Sequence, residues 1–202
     1  DKTIFDGTIH TKGKLNFSEI KVISSLLGLK NLNFNNVNGS IDLTNKIKFH
    51  VNKQFKMQNL IYFIEGRIPY LEVDAKRNLV VNNYLSDYNS KIIFKESNIK
   101  INNSNEDILL KVNGLLKLKD NFDTFKVNEI YNTLKKTHQL EGNIDLTNSQ
   151  IKLSQLNYIK KIGKECNLTF NINFILNQHY NIQNLNFISN KSKINLSKIK
   201  LN

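Results

Sequence analysis

Residues 168 to 177 alternate with a period of two. Leu168, Phe170, Ile172, Phe174 and Leu176 share one parity, whereas Thr169, Asn171, Asn173 and Asn177 share the other, with Ile175 the exception. Successive side chains of a β-strand point to opposite faces, so such a run fits a half-buried strand and no helix. The same pattern opens the chain, where Phe5, Gly7, Ile9, Gly13, Leu15 and Phe17 oppose Thr8, His10, Lys12, Lys14 and Asn16. Shorter apolar runs follow at 47–51, 57–64, 67–73, 78–81, 92–95, 98–102, 108–113 and 115–119. The pairs Leu185 and Phe187, Ile194 and Leu196, and Ile199 and Leu201 close the series. Between many of these runs stand Asn, Gly, Ser and Asp in hairpin-sized clusters, the composition of an antiparallel meander.

Two stretches interrupt the alternation and predict short amphipathic helices. The first spans 18–28, with Ser18 as N-cap, Ile20, Ile23, Leu26 and Leu27 at helical spacing and Gly28 near the end. The second spans 122–136, where Phe125, Val127, Ile130, Tyr131 and Leu134 fit a helical face. A further helical turn is expected around 84–90. Pro69, the single proline, lies inside an apolar run and predicts an edge strand or a bulge.

The formal charge of +12 raises the question of nucleic acid. The chain is saturated with Asn, Lys and Ile, a bias that AT-rich codons produce without selection for charge. Its lysines alternate with apolar residues, as in Ile199-Lys200-Leu201, and so fall on the face opposite the aromatics. A stacking platform for single strands needs cations and aromatics on one surface, so no nucleic-acid partner is expected. Cys166, the only cysteine, allows no internal disulfide and reads as a small buried residue. His10, His50, His138 and His179 are scattered without metal-ligand spacing, and no phosphate-loop or nucleophile-elbow motif occurs. The expectation is a protein that is not an enzyme and carries no cofactor or metal. No run is long and apolar enough for a membrane helix. With Asp1 first and Met57 the sole methionine, the sequence reads as one continuous β-rich segment, 1–202, of a longer protein.

A repeat gives the best lead. Residues 39–45 read G-S-I-D-L-T-N and residues 142–148 read G-N-I-D-L-T-N, which predicts an internal repeat with units 1–120 and 121–202, each copy following a helix. Asp42 and Asp145 have the parity opposite to the flanking Ile and Leu. They are expected to face solvent or to bond the following turn, not to form a carboxylate pair.

The run Asp145-Leu146-Thr147-Asn148, then Ile151-x-Leu153, Leu156-x-Tyr158, Lys160 or Lys161 and Gly163, resembles a motif of the AsmA-like family, especially its large YhdP-type members. Strands like 168–176, 184–189 and 193–196 follow it there, so the likeness covers about 60 residues, with 39–45 as a weaker second match. Ser154 stands where relatives commonly have Pro, and Tyr158 where they often have Trp. The resemblance implies an elongated, incompletely closed antiparallel β-sheet, a taco-like groove along which phospholipids pass between inner and outer membranes. It implies a periplasmic protein anchored in the inner membrane by a segment not present here. The expected groove lining is Ile144, Leu146, Ile151, Leu153, Leu168, Phe170, Ile172, Phe174, Leu176, Leu185, Phe187, Ile194 and Leu196. A closed β-sandwich, serving as a structural or adhesive module without lipid cargo, shares the same alternation.

Overall fold

A computed structural model describes residues 3–16, 18–19, 34–75, 91–104, 106–153, 157–175, 178–190 and 192–201. Twelve strands follow one another: β1 (Thr3–Asn16), β2 (Phe34–Val51), β3 (Met57–Ala75), β4 (Lys91–Ser104), β5 (Asp107–Lys117), β6 (Phe122–Asn132), β7 (Thr137–Asp145), β8 (Ile151–Leu153), β9 (Tyr158–Lys160), β10 (Cys166–Ile175), β11 (His179–Ser189) and β12 (Ser192–Leu201). Ten form one antiparallel sheet in the order β1-β2-β3-β4-β5-β6-β7-β10-β11-β12, and β8 and β9 form a separate hairpin. The large sheet is open, with β1 and β12 at its edges. Nine spacings of a little under 5 Å make it about 45 Å wide across the strands. The expected mainly-β antiparallel architecture is present. The facing second sheet of a sandwich is not: among the described residues only the β8–β9 hairpin lies outside the main sheet.

The alternation read from sequence sets the faces. Register places Ile9, Asn45, Ile64, Ile101, Leu110, Glu129, Leu140, Ile172, Ile182 and Ile199 in one row across all ten strands. The opposite face carries Lys, Asn and Glu, with Lys12 paired to Asp42 at 3.3 Å, Lys48 to Asp6 at 3.5 Å and Lys100 to Glu65 at 3.5 Å across neighbouring strands. These pairs are solvent-exposed and contribute little individually.

The second predicted helix is corrected. Residues 122–132 form β6, in which Phe125 lies opposite Ile144 and Val127 opposite Gly142. Ile130, 38% exposed, and Leu134, 70% exposed, made the pattern look helical, but Ile130 lies on the face opposite Phe125 and Val127 and Leu134 lies in the turn after β6. Of the 18–28 helix only Ser18 and Glu19 are described, and both are helical. Its cap is Asn16 and not Ser18. Asn16 Oδ1 accepts from the Glu19 amide at 3.1 Å, and Glu19 Oε2 accepts from the Asn16 amide at 2.8 Å, a reciprocal capping box. The remainder of that helix, the 78–81 strand and the 84–90 turn lie outside the described residues.

Pro69 lies at a bulge, but β3 is interior and not an edge strand. Ser40 pairs with Tyr70 and Asp42 with Arg67, so Ile68 and Pro69 interrupt the β2–β3 ladder just where an amide is missing. On the other side Pro69 stands against Glu96, between the Ile68–Ser97 and Tyr70–Lys95 pairs. Glu96 has φ +49°. One strand further, Glu96 and Ser97 together oppose Gly114. A line of irregularities thus crosses β2 to β5, and bulges bend strands and increase twist.

Candidate functional site

The bulge line sits beside a crevice on the apolar face. Its volume is about 470 Å³, and its walls include Ile68 and Leu71 of β3, Ile92 and Phe94 of β4, Val112 and Leu116 of β5, and Phe125 and Val127 of β6. Ser97 also lines it, its hydroxyl donating to the Lys95 carbonyl at 3.2 Å. Gly114 allows the approach: a Cβ there would lie 2.6 Å from the Ser97 Cα. Leu116 and Phe125 are buried at the base, and Phe94 meets Phe125 edge to face at 5.4 Å. Among the described residues its lining is apolar apart from Ser97 and carries no ionisable side chain. Such a lining fits hydrocarbon.

Beyond the crevice the expected lining residues divide into two groups. Leu146, Cys166 and Phe187 form a buried cluster, with Ile144, Ile151, Leu168, Ile194 and Tyr158 packed around it. The β8–β9 hairpin, a flap beside the large sheet, supplies Ile151 and Tyr158, and Tyr158 meets Phe187 edge to face at 6.1 Å. This end is therefore filled by protein. Of the residues expected to face a groove, Leu146, Ile151, Leu168, Phe187 and Ile194 meet the flap or its neighbours, while Ile144 touches both the cluster and the crevice. Leu153, opposite Tyr158, belongs to the flap itself.

The second group stays partly open. Phe170 aligns with Gly142 on one side and Leu185 on the other, and Leu185 with Leu196, which is 40% exposed. Ile172 and Phe174 are half-buried. Rings of Tyr131, His138, Phe174 and Tyr180 stack across four strands at centroid distances of 4.4, 4.6 and 5.5 Å. The His138 Nδ1 lies 2.6 Å from Glu129 Oε1. Leu176 lies outside the described residues.

The two copies of the repeated motif differ. Residues 39–45 run through the middle of β2, whereas the second copy leaves the sheet after Asp145. As expected, the Asp145 carboxylate bonds the turn, accepting from the Thr147 amide at 2.9 Å. The hydroxyl and amide of Thr147, with help from Lys160, hold the carboxyl below its ordinary value. Asp123, buried, accepts from the Asn148 amide at 2.8 Å and from the Ser149 hydroxyl. Lys160 was the hidden element. Its buried ammonium donates to the carbonyls of Leu146, Thr147 and Ser149, the last two at 2.8 and 2.6 Å. Burial pushes its pKa down, against the nearby carboxylates of Asp123 and Asp145. Burial likewise raises that of the Cys166 thiol, 1% exposed. No sequence signal separates Lys160 from its exposed neighbour Lys161, because only the folded turn brings three carbonyls to one point.

Among the described residues no group of three His, Cys, Asp or Glu converges as metal ligands, and no helix is long and apolar enough to cross a membrane. No protein-family profile, no curated protein and no solved structure matches the chain.

Proposed function

We propose that this chain is a segment of an AsmA-like envelope protein whose hydrophobic β-groove carries phospholipids between the inner and outer membranes. The observation that supports this reading is an apolar sheet face that the described residues leave partly uncovered. Ile9, 55% exposed, and Leu196, 40% exposed, mark its two ends, with the crevice between Ile68 and Val127 in the middle. Acyl chains are the complementary occupant, each buried CH₂ contributing about 0.8 kcal/mol. Burial of this kind has no preferred direction along the surface, so a chain can slide without breaking a fixed set of bonds. In this reading the protein is not an enzyme, works in the periplasm, and is tethered to the inner membrane by a segment outside the sequence described. The flap closes one side of the groove over Leu146 and Phe187. The filled cluster there is the part that a purely structural module would share.

The test is lipid occupancy. Protein purified without detergent is extracted and analysed by lipid mass spectrometry, then titrated with a fluorescent fatty acid. Copurifying phospholipid and saturable uptake are expected, with uptake at least about tenfold weaker in Val127→Asp, which puts a charge in the crevice. Folded protein with neither bound lipid nor uptake would overturn the reading in favour of a structural module.

A further inference from the structure

Antiparallel order fixes which turns share a rim. The β2–β3 and β6–β7 turns fall on the same side of the sheet, four strand spacings or about 19 Å apart. Both present a large apolar residue to solvent beside lysines. In the first, Phe55 is 90% exposed and Met57 56% exposed, with Lys53 and Lys56 beside them. In the second, Leu134 is 70% exposed and followed by the exposed Lys135 and Lys136.

Each turn is built on an asparagine. Asn52 Oδ1 accepts from the amides of Gln54 at 3.0 Å and Lys56 at 2.9 Å, and its carbonyl accepts from Phe55 at 3.0 Å. Asn132 Oδ1 accepts from the Lys135 amide at 2.8 Å. Phe55 has φ +57°, an uncommon conformation for a bulky side chain. The turn thus holds an aromatic ring in water at a conformational cost, where Asn or Gly would meet neither penalty. Just inside this rim runs the Tyr131, His138, Phe174 and Tyr180 stack, rings with an apolar body and, for Tyr and His, a polar tip. Among the described residues the acidic groups near the second turn are Glu106 and Asp107, in the β4–β5 turn that lies between the two on the same rim, and Glu129, held against His138; the Glu106 carbonyl accepts from the Thr133 amide and Asp107 is bonded to Asn132.

We infer that this rim docks on an anionic lipid bilayer, Phe55 and Leu134 entering the acyl boundary while Lys53, Lys56, Lys135 and Lys136 meet the headgroups. Protruding apolar residues flanked by cations and backed by interfacial aromatics are the chemistry such a surface recognises. The inference stands apart from the groove reading, since a closed module could dock in the same way.

Cosedimentation with phosphatidylcholine vesicles, with and without phosphatidylglycerol, tests it at low and high salt. Binding is expected only with phosphatidylglycerol and should fall with salt. Phe55→Ser with Leu134→Ser, and separately the four lysines changed to Gln, should each weaken it by about tenfold or more. Two controls carry equal changes elsewhere. One removes Lys14, Lys46, Lys111 and Lys126 from the polar face. The other alters the flap, Ile159→Ser and Ile162→Ser with Lys161→Gln and Lys164→Gln, where both isoleucines are 55% exposed. Both should retain most of the binding. If the controls lose as much as the rim variants, if rim variants bind normally, or if soluble glycerophosphate abolishes binding, the assignment is overturned. Uptake of fluorescent fatty acid by the same variants reports separately on the groove.

Discussion

The ring of Phe170 lies directly across Gly142, so that a Cβ built on the glycine would come within 2.5 Å of the ring's Cζ and 3.0 Å of the Lys126 carbonyl. A glycine here lets an aromatic residue cover the neighbouring strand and seal it. Gly142→Ala should therefore destabilise the sheet by about 1 to 3 kcal/mol through overpacking. Urea unfolding measures the loss, and Phe170→Leu in the same chain should recover part of it. Additive losses in the double variant would show that the contact does not govern the site.

Lys160→Met removes the donor to three carbonyls and should cost about 3 kcal/mol. The flap would loosen before the sheet melts, because the large sheet keeps its own ladder. Cys166, buried beneath it, is a built-in reporter. Its labelling by a thiol reagent should be slow in the parent protein and at least about tenfold faster in the variant.

Acid should weaken the same turn. The Asp145 carboxyl is lowered in the folded protein from the ordinary value of 3.8. Below 3.8 the unfolded chain binds the proton first, so this contribution is complete above 3.8 and is lost as the pH falls through the folded value. Asp145→Asn keeps an acceptor for the Thr147 amide but cannot titrate. Urea midpoints of the two proteins should therefore converge as the pH drops below about 3.8.

His138 is held between the Tyr131 and Phe174 rings and against Glu129. His138→Leu keeps bulk but leaves the half-buried carboxylate without its donor, a loss of about 1 to 3 kcal/mol. Combining it with Glu129→Leu should restore most of that stability. A double variant as unstable as the sum of the singles would mean that stacking, not the pair, carries the effect.

Strand parity was the legible part of this fold. The face shared by Leu168, Phe170, Ile172 and Phe174 could be read because one side of an open sheet meets water along its whole length. Residues 122–132 were not legible, because Ile130 on the opposite face and Leu134 in the following turn complete a helical spacing around Phe125 and Val127. Pro69 announced its bulge but not its interior place, which comes from β4 pairing along its other side with Glu96 opposite. The hairpin carrying Tyr158 and Lys160 left no periodic trace. Two three-residue strands are too short for one, and the carbonyls that fix Lys160 belong to a turn 11 to 14 residues away.

Every strand of the large sheet bonds to its neighbour in sequence, except where β7 passes over the small hairpin to β10. Such wiring keeps closure distances short, so assembly can begin at any hairpin and advance outward without waiting for the far terminus. A chain delivered from one end, as from a ribosome or a translocation pore, can add each new strand to the last one laid down. Length is then a free variable for evolution: inserting or deleting a hairpin extends or shortens the sheet while leaving every other pairing in place.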